Sequence, residues 1–523
     1  MIVTGNLLRH RAETTPERLF ALFESDEWSF GRALEEASAA AAGLATLGLG
    51  KGDVLLLWMA GGPDFLRLWL GANLLGAIVA PVNLAYKGSL LRHVIALTSP
   101  RVIAVDSERV ALLADVATDA RILLAGEIAD EDSPISALRL DSVLSQGHAL
   151  PELPALDPLD TQCILFTSGT TGASKGVIVP YAQLHAIAAT HFGDRFGPGD
   201  RYLLNLPMFH VGGLLPVIGA LITGCAVVAS PGFRTTRFWQ DVRAHGVTGC
   251  TVVGAAAEFL KRQPESPDDA ANPLRWVSMF PLVRDPAAFA RRFGVGLFTG
   301  YGMTELSIPI TTDRLEASPG SCGQLRAGYE ALLVDEADVP VGPGEVGELV
   351  LRAEAPGSIS PGYWRDAEAT AEAWRNGWFH TGDCFRRTDA GFYHFVDRRK
   401  DALRRRGENI SSQEVEAEIM AHRNVAEAAV IGVPSPYGEQ DVMAVVVLAP
   451  GRDLTAAALD AFLEPRLPRF MLPRYIRFTD ALPRTPSLRV QKYLLRETGV
   501  TAETWDREAA GTLTSSGAAP RPS

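Results

Sequence analysis

An alternation restricts the fold of this chain more than any other feature. Up to about residue 400, helical stretches such as "ALEEASAAAAGLATLG" take turns with short apolar runs, "DVLLLWMA", "AIVAPVN" and "RVIAVDS". A strand covered on both faces reads as an unbroken apolar run, and a parallel neighbour needs a helix to cross back, so the pattern predicts βαβ units on parallel sheets. The expected fold class is α/β with a large N-terminal domain. From Tyr329 the pattern shifts to "EALLVDE", "GELVLRAE" and "GFYHFVDR", short strands between Gly, Pro and Asp turns, which predicts a small antiparallel or β-barrel-like section. After "RRKDALRRR" follow "SSQEVEAEIMAH", "VAEAAVIGV", "DVMAVVVLA" and "LTAAALDAFLEPRL", a helix and strand set suited to a small α+β C-terminal domain.

Two uncharged runs, Leu68 to Ala85 and Val211 to Ala229, approach the length of a bilayer-spanning helix. Each is broken by a glycine, Gly76 or Gly224, where a helix is expected to stop and a β-rich run to begin, so buried helices are expected and no membrane span. Sixty-one acidic against 49 basic side chains give a net charge of −12, which repels a phosphodiester backbone and argues against nucleic acid as a partner. The five cysteines are far apart and never in a CxxC spacing, so neither a disulfide framework nor a zinc site is expected. With no secretory pattern in "MIVTGNLLRH", a cytoplasmic protein is expected.

The segment richest in chemistry is "CILFTSGTTGASKGVIVP", Cys163 to Pro180. An apolar strand enters a loop of Ser, Thr and Gly closed by Lys175, and a second strand follows. Glycines let backbone N–H groups approach an anion, the hydroxyls of Thr167, Ser168, Thr170 and Thr171 can donate, and Lys175 adds a point charge. The loop, with Gly169 and Gly172, suits a polyphosphate. The Walker spacing is not met, and the strand after the loop implies no helix dipole.

This loop resembles the phosphate loop of the adenylate-forming enzymes, the superfamily of acyl-CoA synthetases, peptide-synthetase adenylation domains and luciferases. The resemblance extends in order through "PMFHVGG" (207–213), "TGYGMTE" (299–305), "GWFHTGD" (377–383) and "DRRKDALRRRGENISSQEVE" (397–416), to about Glu508. It implies ATP, Mg²⁺ and, as co-substrate, CoA. It also implies that Tyr301 faces the adenine, Thr304 the α-phosphate and Glu305 the metal, while Asp383 and Arg398 contact the ribose. His210 falls near the acyl or thiol channel. Asp401 matches a hinge about which the small domain rotates, and Gly407 a glycine along the pantetheine channel. The implied division is a large ATP- and acid-binding domain over 1–397, a hinge at 398–401, a mobile small catalytic domain over 402–508 and a disordered tail over 509–523. A homodimer is what the family suggests.

One departure stands out. Where the family carries a lysine in a pattern like "PxTPSGKVxK", this chain reads "PRTPSLRVQK", with Arg489 in the lysine's place and Lys492 matching a second lysine that contacts the nucleotide. A planar, forked guanidinium does not replace a compact ammonium conservatively. The resemblance implies an AMP-forming ligase that activates a small or aromatic carboxylate as its adenylate and passes it to CoA or another thiol, or to an amine. The substitution leaves two alternatives open: nitrite activation for diazotisation of an aromatic amine, or an ATP- or AMP-binding protein with impaired catalysis.

Overall fold

The computed structural model describes all residues except 25, 115, 117, 127–134, 148, 168–173, 231, 284, 399–402, 406–407, 411, 436–439, 468, 470, 485–489 and 510–523. Two compact units are formed. The first comprises Met1–Ala331, Leu351–His380 and Gly391–Tyr393; the second comprises Leu332–Val350, Thr381–Ala390 and His394–Ser523.

The first unit bears out the βαβ reading with two sheets. One has seven strands in the order Ala137–Arg139, Arg121–Ala125, Val102–Asp106, Val54–Trp58, Ile78–Pro81, Thr161–Thr167 and Lys175–Pro180. Every neighbouring pair in it is parallel except the last, an antiparallel pair that brackets the glycine-rich loop. In the other, Leu19–Leu22, Ala226–Ala229, Arg201–Leu204, Gly249–Val252, Trp276–Met279 and Gly296–Met303 lie side by side and parallel. Ser307–Thr312 then returns antiparallel to Gly296–Met303.

Four helices, Phe30–Thr46, Pro63–Leu75, Tyr181–Phe192 and Val211–Thr223, bury side chains in one core with inner-face residues of both sheets, among them Leu55, Val79, Tyr202 and Val227. Ser29 starts the first of these by accepting the Arg32 amide on its hydroxyl oxygen. The stops expected at Gly76 and Gly224 are present, with φ of 70° and 77°, values costly for any residue with a Cβ. Among the described residues no helix is long and apolar enough to cross a membrane. The residues "TVVGA", Thr251–Ala255, read from the sequence as one strand, but the strand Gly249–Val252 ends there at Val252 and a helix, Gly254–Lys261, begins instead. The apolar, β-branched "TVV" fits a strand, but nothing local announces the helix start after it.

Past Tyr329 come the short strands Tyr329–Val334, Val346–Ala353, Trp378–Arg387 and Phe392–Arg398, with one seven-residue helix, Ala367–Ala373, capped by the Asp366 carboxylate. The second unit is built on a four-stranded sheet of Val425–Pro434, Gln440–Leu448, Tyr475–Phe478 and Trp505–Asp506. Helices Ser412–Met420 and Ala456–Leu463 cover one face through Val415, Ile419, Leu459 and Leu463, and Leu482 and Leu495 pack on the other. Asp401, expected at the hinge, Gly407 and the tail from 510 onward lie outside the described residues.

Candidate active site

The antiparallel strand pair places Thr167 directly opposite Lys175, at the two ends of the segment expected to bind phosphate. Ser168, Gly169, Thr170, Thr171 and Gly172 lie outside the described residues. The far shoulder of the loop is fixed by two residues that sequence reasoning missed. Tyr86 Oη lies 2.9 Å from the buried Ser174 hydroxyl, and His93 Nε2 lies 2.9 Å from the Ser174 carbonyl oxygen. Lys175 Nζ stands 4.8 Å from the centre of the Tyr363 ring, a cation–π geometry worth about 0.5–2 kcal/mol depending on solvation.

The "TGYGMTE" segment is strand up to Met303. Its first glycine is demanded by packing: a Cβ on Gly300 would lie 2.4 Å from the Ile310 carbonyl oxygen across the antiparallel pair. Tyr301, opposite Ile310, is buried and its hydroxyl donates to Met303 Sδ. The Thr304 carbonyl accepts from Gln183 Nε2 at 2.8 Å, which ties the segment to helix Tyr181–Phe192. Glu305 is 5 % exposed. Its Oε1 accepts from the Tyr363 hydroxyl at 3.0 Å, and its carbonyl accepts from the Ser360 amide at 2.7 Å. Burial first, and then the Glu305 charge, push the Tyr363 phenol well above its ordinary range, so it remains a proton donor. A carboxylate oxygen in this setting is the hard donor that Mg²⁺ takes, and the residues present therefore fit the metal.

His210 immediately precedes helix Val211–Thr223, in extended backbone, with its ring 4.6 Å from that of Phe209. The two halves of the expected ribose contact are brought together in the second unit. Asp383, 6 % exposed, donates its amide to the Thr381 hydroxyl oxygen at 3.0 Å, and Arg398 Nε lies 3.4 Å from its Oδ1. The preceding Gly382 donates its amide to Glu348 Oε1 at 2.9 Å. Arg398 is held in turn by its own amide, which donates to Asp397 Oδ1 at 2.7 Å.

Lys492, expected at the nucleotide, has partners within its own unit. It begins helix Lys492–Thr498, pairs with Glu416 Oε1 at 2.8 Å and donates to the Ser412 hydroxyl. Glu416 also accepts the Val430 amide at 2.7 Å, and Ser412 donates its amide to Asp397 Oδ2 at 2.7 Å. Burial pushes the Glu416 carboxyl above its usual range, and Lys492 opposes that shift. Arg489 lies outside the described residues, but its flanks are set. Arg484 and Val490 form an antiparallel bridge, the Gln491 amide donates to the Pro483 carbonyl at 2.8 Å, and Arg484 pairs with Glu427 at 2.6 Å.

The family model for AMP-binding enzymes matches residues 8–364. The chain belongs to that family. The model of the AMP-binding enzyme C-terminal domain matches residues 414–489. Among similar AMP-binding enzymes, sulfoacetate–CoA ligase of Cupriavidus necator is 30 % identical over 499 residues, covering 94 % of this chain and 96 % of the relative. Crotonobetaine/carnitine–CoA ligase of Citrobacter koseri is 32 % identical over 524 residues, covering 95 % and 100 %. ATP-bound MatB of Rhodopseudomonas palustris superposes with a TM-score of 0.83 at 26 % identity over 94 % of this chain and 98 % of the other. O-succinylbenzoate CoA synthetase of Bacillus subtilis, in complex with its acyl-adenylate, has the same fold, with a TM-score of 0.82 at 24 % identity over 96 % and 99 %. The resemblance carried by the motifs is therefore membership, and the chain is an AMP-binding enzyme of the acyl-CoA synthetase-like type.

Proposed function

We propose that this AMP-binding enzyme is an ATP-dependent, AMP-forming acid–CoA ligase acting on a small or aromatic carboxylic acid. The observation that carries the reading is the meeting of Lys175 and Glu305 on the Tyr363 side chain. A cation from the phosphate-loop strand and a carboxylate from the "TGYGMTE" segment are thus held together by a third, distant residue. A triphosphate with its metal needs both, because its charge must be matched by fixed groups before an anionic acid can approach.

In this reading the acid carboxylate attacks the α-phosphorus of ATP, pyrophosphate leaves, and the CoA thiol then displaces AMP from the acyl-adenylate. Lys175, Thr167 and residues 168–172 hold the β- and γ-phosphates, Thr304 the α-phosphate and Tyr301 the adenine face. Glu305 would hold Mg²⁺, whose charge would offset that of the phosphates. Asp383 accepts from the ribose hydroxyls with Arg398 beside it, since an ionised carboxylate is an acceptor only. Arg489 supplies the cation between the reacting carboxylate and the α-phosphate, and His210 borders the acid or thiol. The relatives reported above are CoA ligases, which puts thioester formation ahead of nitrite activation and of a nucleotide-binding protein without catalysis.

The test is AMP release over a panel of sulfonated, trimethylammonium-bearing, dicarboxylic and aromatic acids with CoA, beside nitrite with an aromatic amine. Acid- and CoA-dependent AMP is expected. AMP only with nitrite and amine would replace this reading, and nucleotide binding without pyrophosphate exchange for any acid would remove it.

A further inference from the structure

We propose that Tyr363 is a positioning residue that sets two groups of the nucleotide site at once, the Glu305 carboxylate through its hydroxyl and the Lys175 ammonium through its ring. The inference rests on the reading of Glu305 as a metal ligand.

The backbone around Tyr363 is a strap fastened on both sides. Along strand Lys175–Pro180 it forms an antiparallel bridge between Val177 and Tyr363. The Ile178 amide donates to the Gly362 carbonyl at 3.0 Å, and the Trp364 amide to the Gly176 carbonyl at 2.7 Å. The Ser360 hydroxyl also donates to the Ile178 carbonyl of that strand at 2.7 Å, while on the other side the Ser360 amide donates to the Glu305 carbonyl at 2.7 Å. Gly362 has φ of 146°, and a Cβ there would lie 2.4 Å from Thr370 Cγ2, so only glycine lets the strap run this close. The Tyr363 amide is tied to Thr370 Oγ1 at 2.9 Å.

A side chain on so constrained a backbone has little freedom, and both of its ends are used. The hydroxyl donates to Glu305 Oε1 at 3.0 Å and so orients the carboxylate. The ring face under Lys175 Nζ favours one position of the ammonium over the many that a four-carbon stem allows. Partners that orient a metal ligand typically change metal affinity ten- to a hundredfold, so their loss is readable.

The two ends separate by substitution. Mn²⁺ is titrated by its free-ion resonance into the full chain with a non-cleavable ATP analogue, and analogue binding is measured separately in EDTA. Tyr363→Phe keeps the ring and loses the hydroxyl: Mn²⁺ affinity should fall about tenfold, with metal-free analogue binding within about twofold of the parent. Tyr363→Leu loses both, and metal-free binding should fall as well. Glu305→Gln runs in parallel. If it weakens Mn²⁺ while Tyr363→Phe does not, the positioning role is wrong and the site reading stands. If Glu305→Gln leaves Mn²⁺ unchanged, both fall. Equal loss by Tyr363→Phe with and without metal would also overturn the proposal, because it would mean a general packing defect.

Discussion

Lys492 Nζ and Glu416 Oε1 are 2.8 Å apart, inside the second unit, with Ser412 and the Val430 amide completing the contact. A lysine so engaged holds the start of its helix to helix Ser412–Met420. Lys492→Ala should therefore cost stability, about 3 kcal/mol, because it leaves a carboxylate buried without its cation. The double variant Lys492→Ala with Glu416→Gln should recover part of that loss. Urea unfolding of the parent and the two variants checks this; a single variant as stable as the parent would show that the pair does not hold the helix.

Arg489 should behave in the opposite way. Arg489→Ala is expected to lower acid-dependent pyrophosphate exchange about 100- to 1000-fold, the usual cost of removing one fixed donor from developing charge. Thioester formation from a supplied acyl-adenylate should change much less. Arg489→Lys should retain most of the exchange rate if charge matters more than fork geometry. Unchanged exchange in the alanine variant would show that this cation is not part of adenylation.

Asp441, 3 % exposed, lies between Arg474 at 2.9 Å and Arg405 at 3.1 Å. Asp441→Ala should destabilise the second unit by about 3–5 kcal/mol, since two guanidinium groups would lose their shared counter-charge. Glu418→Ala, which removes an exposed pair with Arg466, should cost little by comparison. Denaturant midpoints of the two variants give the contrast.

His191 supplies a pH dependence. It is buried, with Nε2 2.8 Å from both the Tyr202 and the Ser278 hydroxyl oxygens, and burial, followed by the Arg195 charge, lowers its pKa to about 3. Below its ordinary value the unfolded chain takes up a proton that the native site refuses. Stability should thus be lost as pH falls from 6.5 toward 3, by up to about 1.4 kcal/mol per pH unit. His191→Asn should be less stable at neutral pH and show a flatter decline between pH 6.5 and 4.5. Parallel declines in parent and variant would contradict the assignment.

The sequence by itself determined the parts that depend on neighbours along the chain. Apolar periodicity marked the strands Val54–Trp58 and Val102–Asp106, a left-handed glycine ended each of two long helices, and the motif order identified the family. Pairings between distant segments were decided only by tertiary structure. Tyr363 is 58 residues beyond Glu305, and nothing local distinguishes it from any tyrosine after a glycine. Lys492 lies 76 residues beyond Glu416, and their pairing is equally invisible in the residues around either one. Local sequence sets backbone preference through sterics and hydrogen bonding between near residues. Which partner a charged or hydroxyl side chain finds depends on desolvation and distance, and those exist only once the chain has closed on itself.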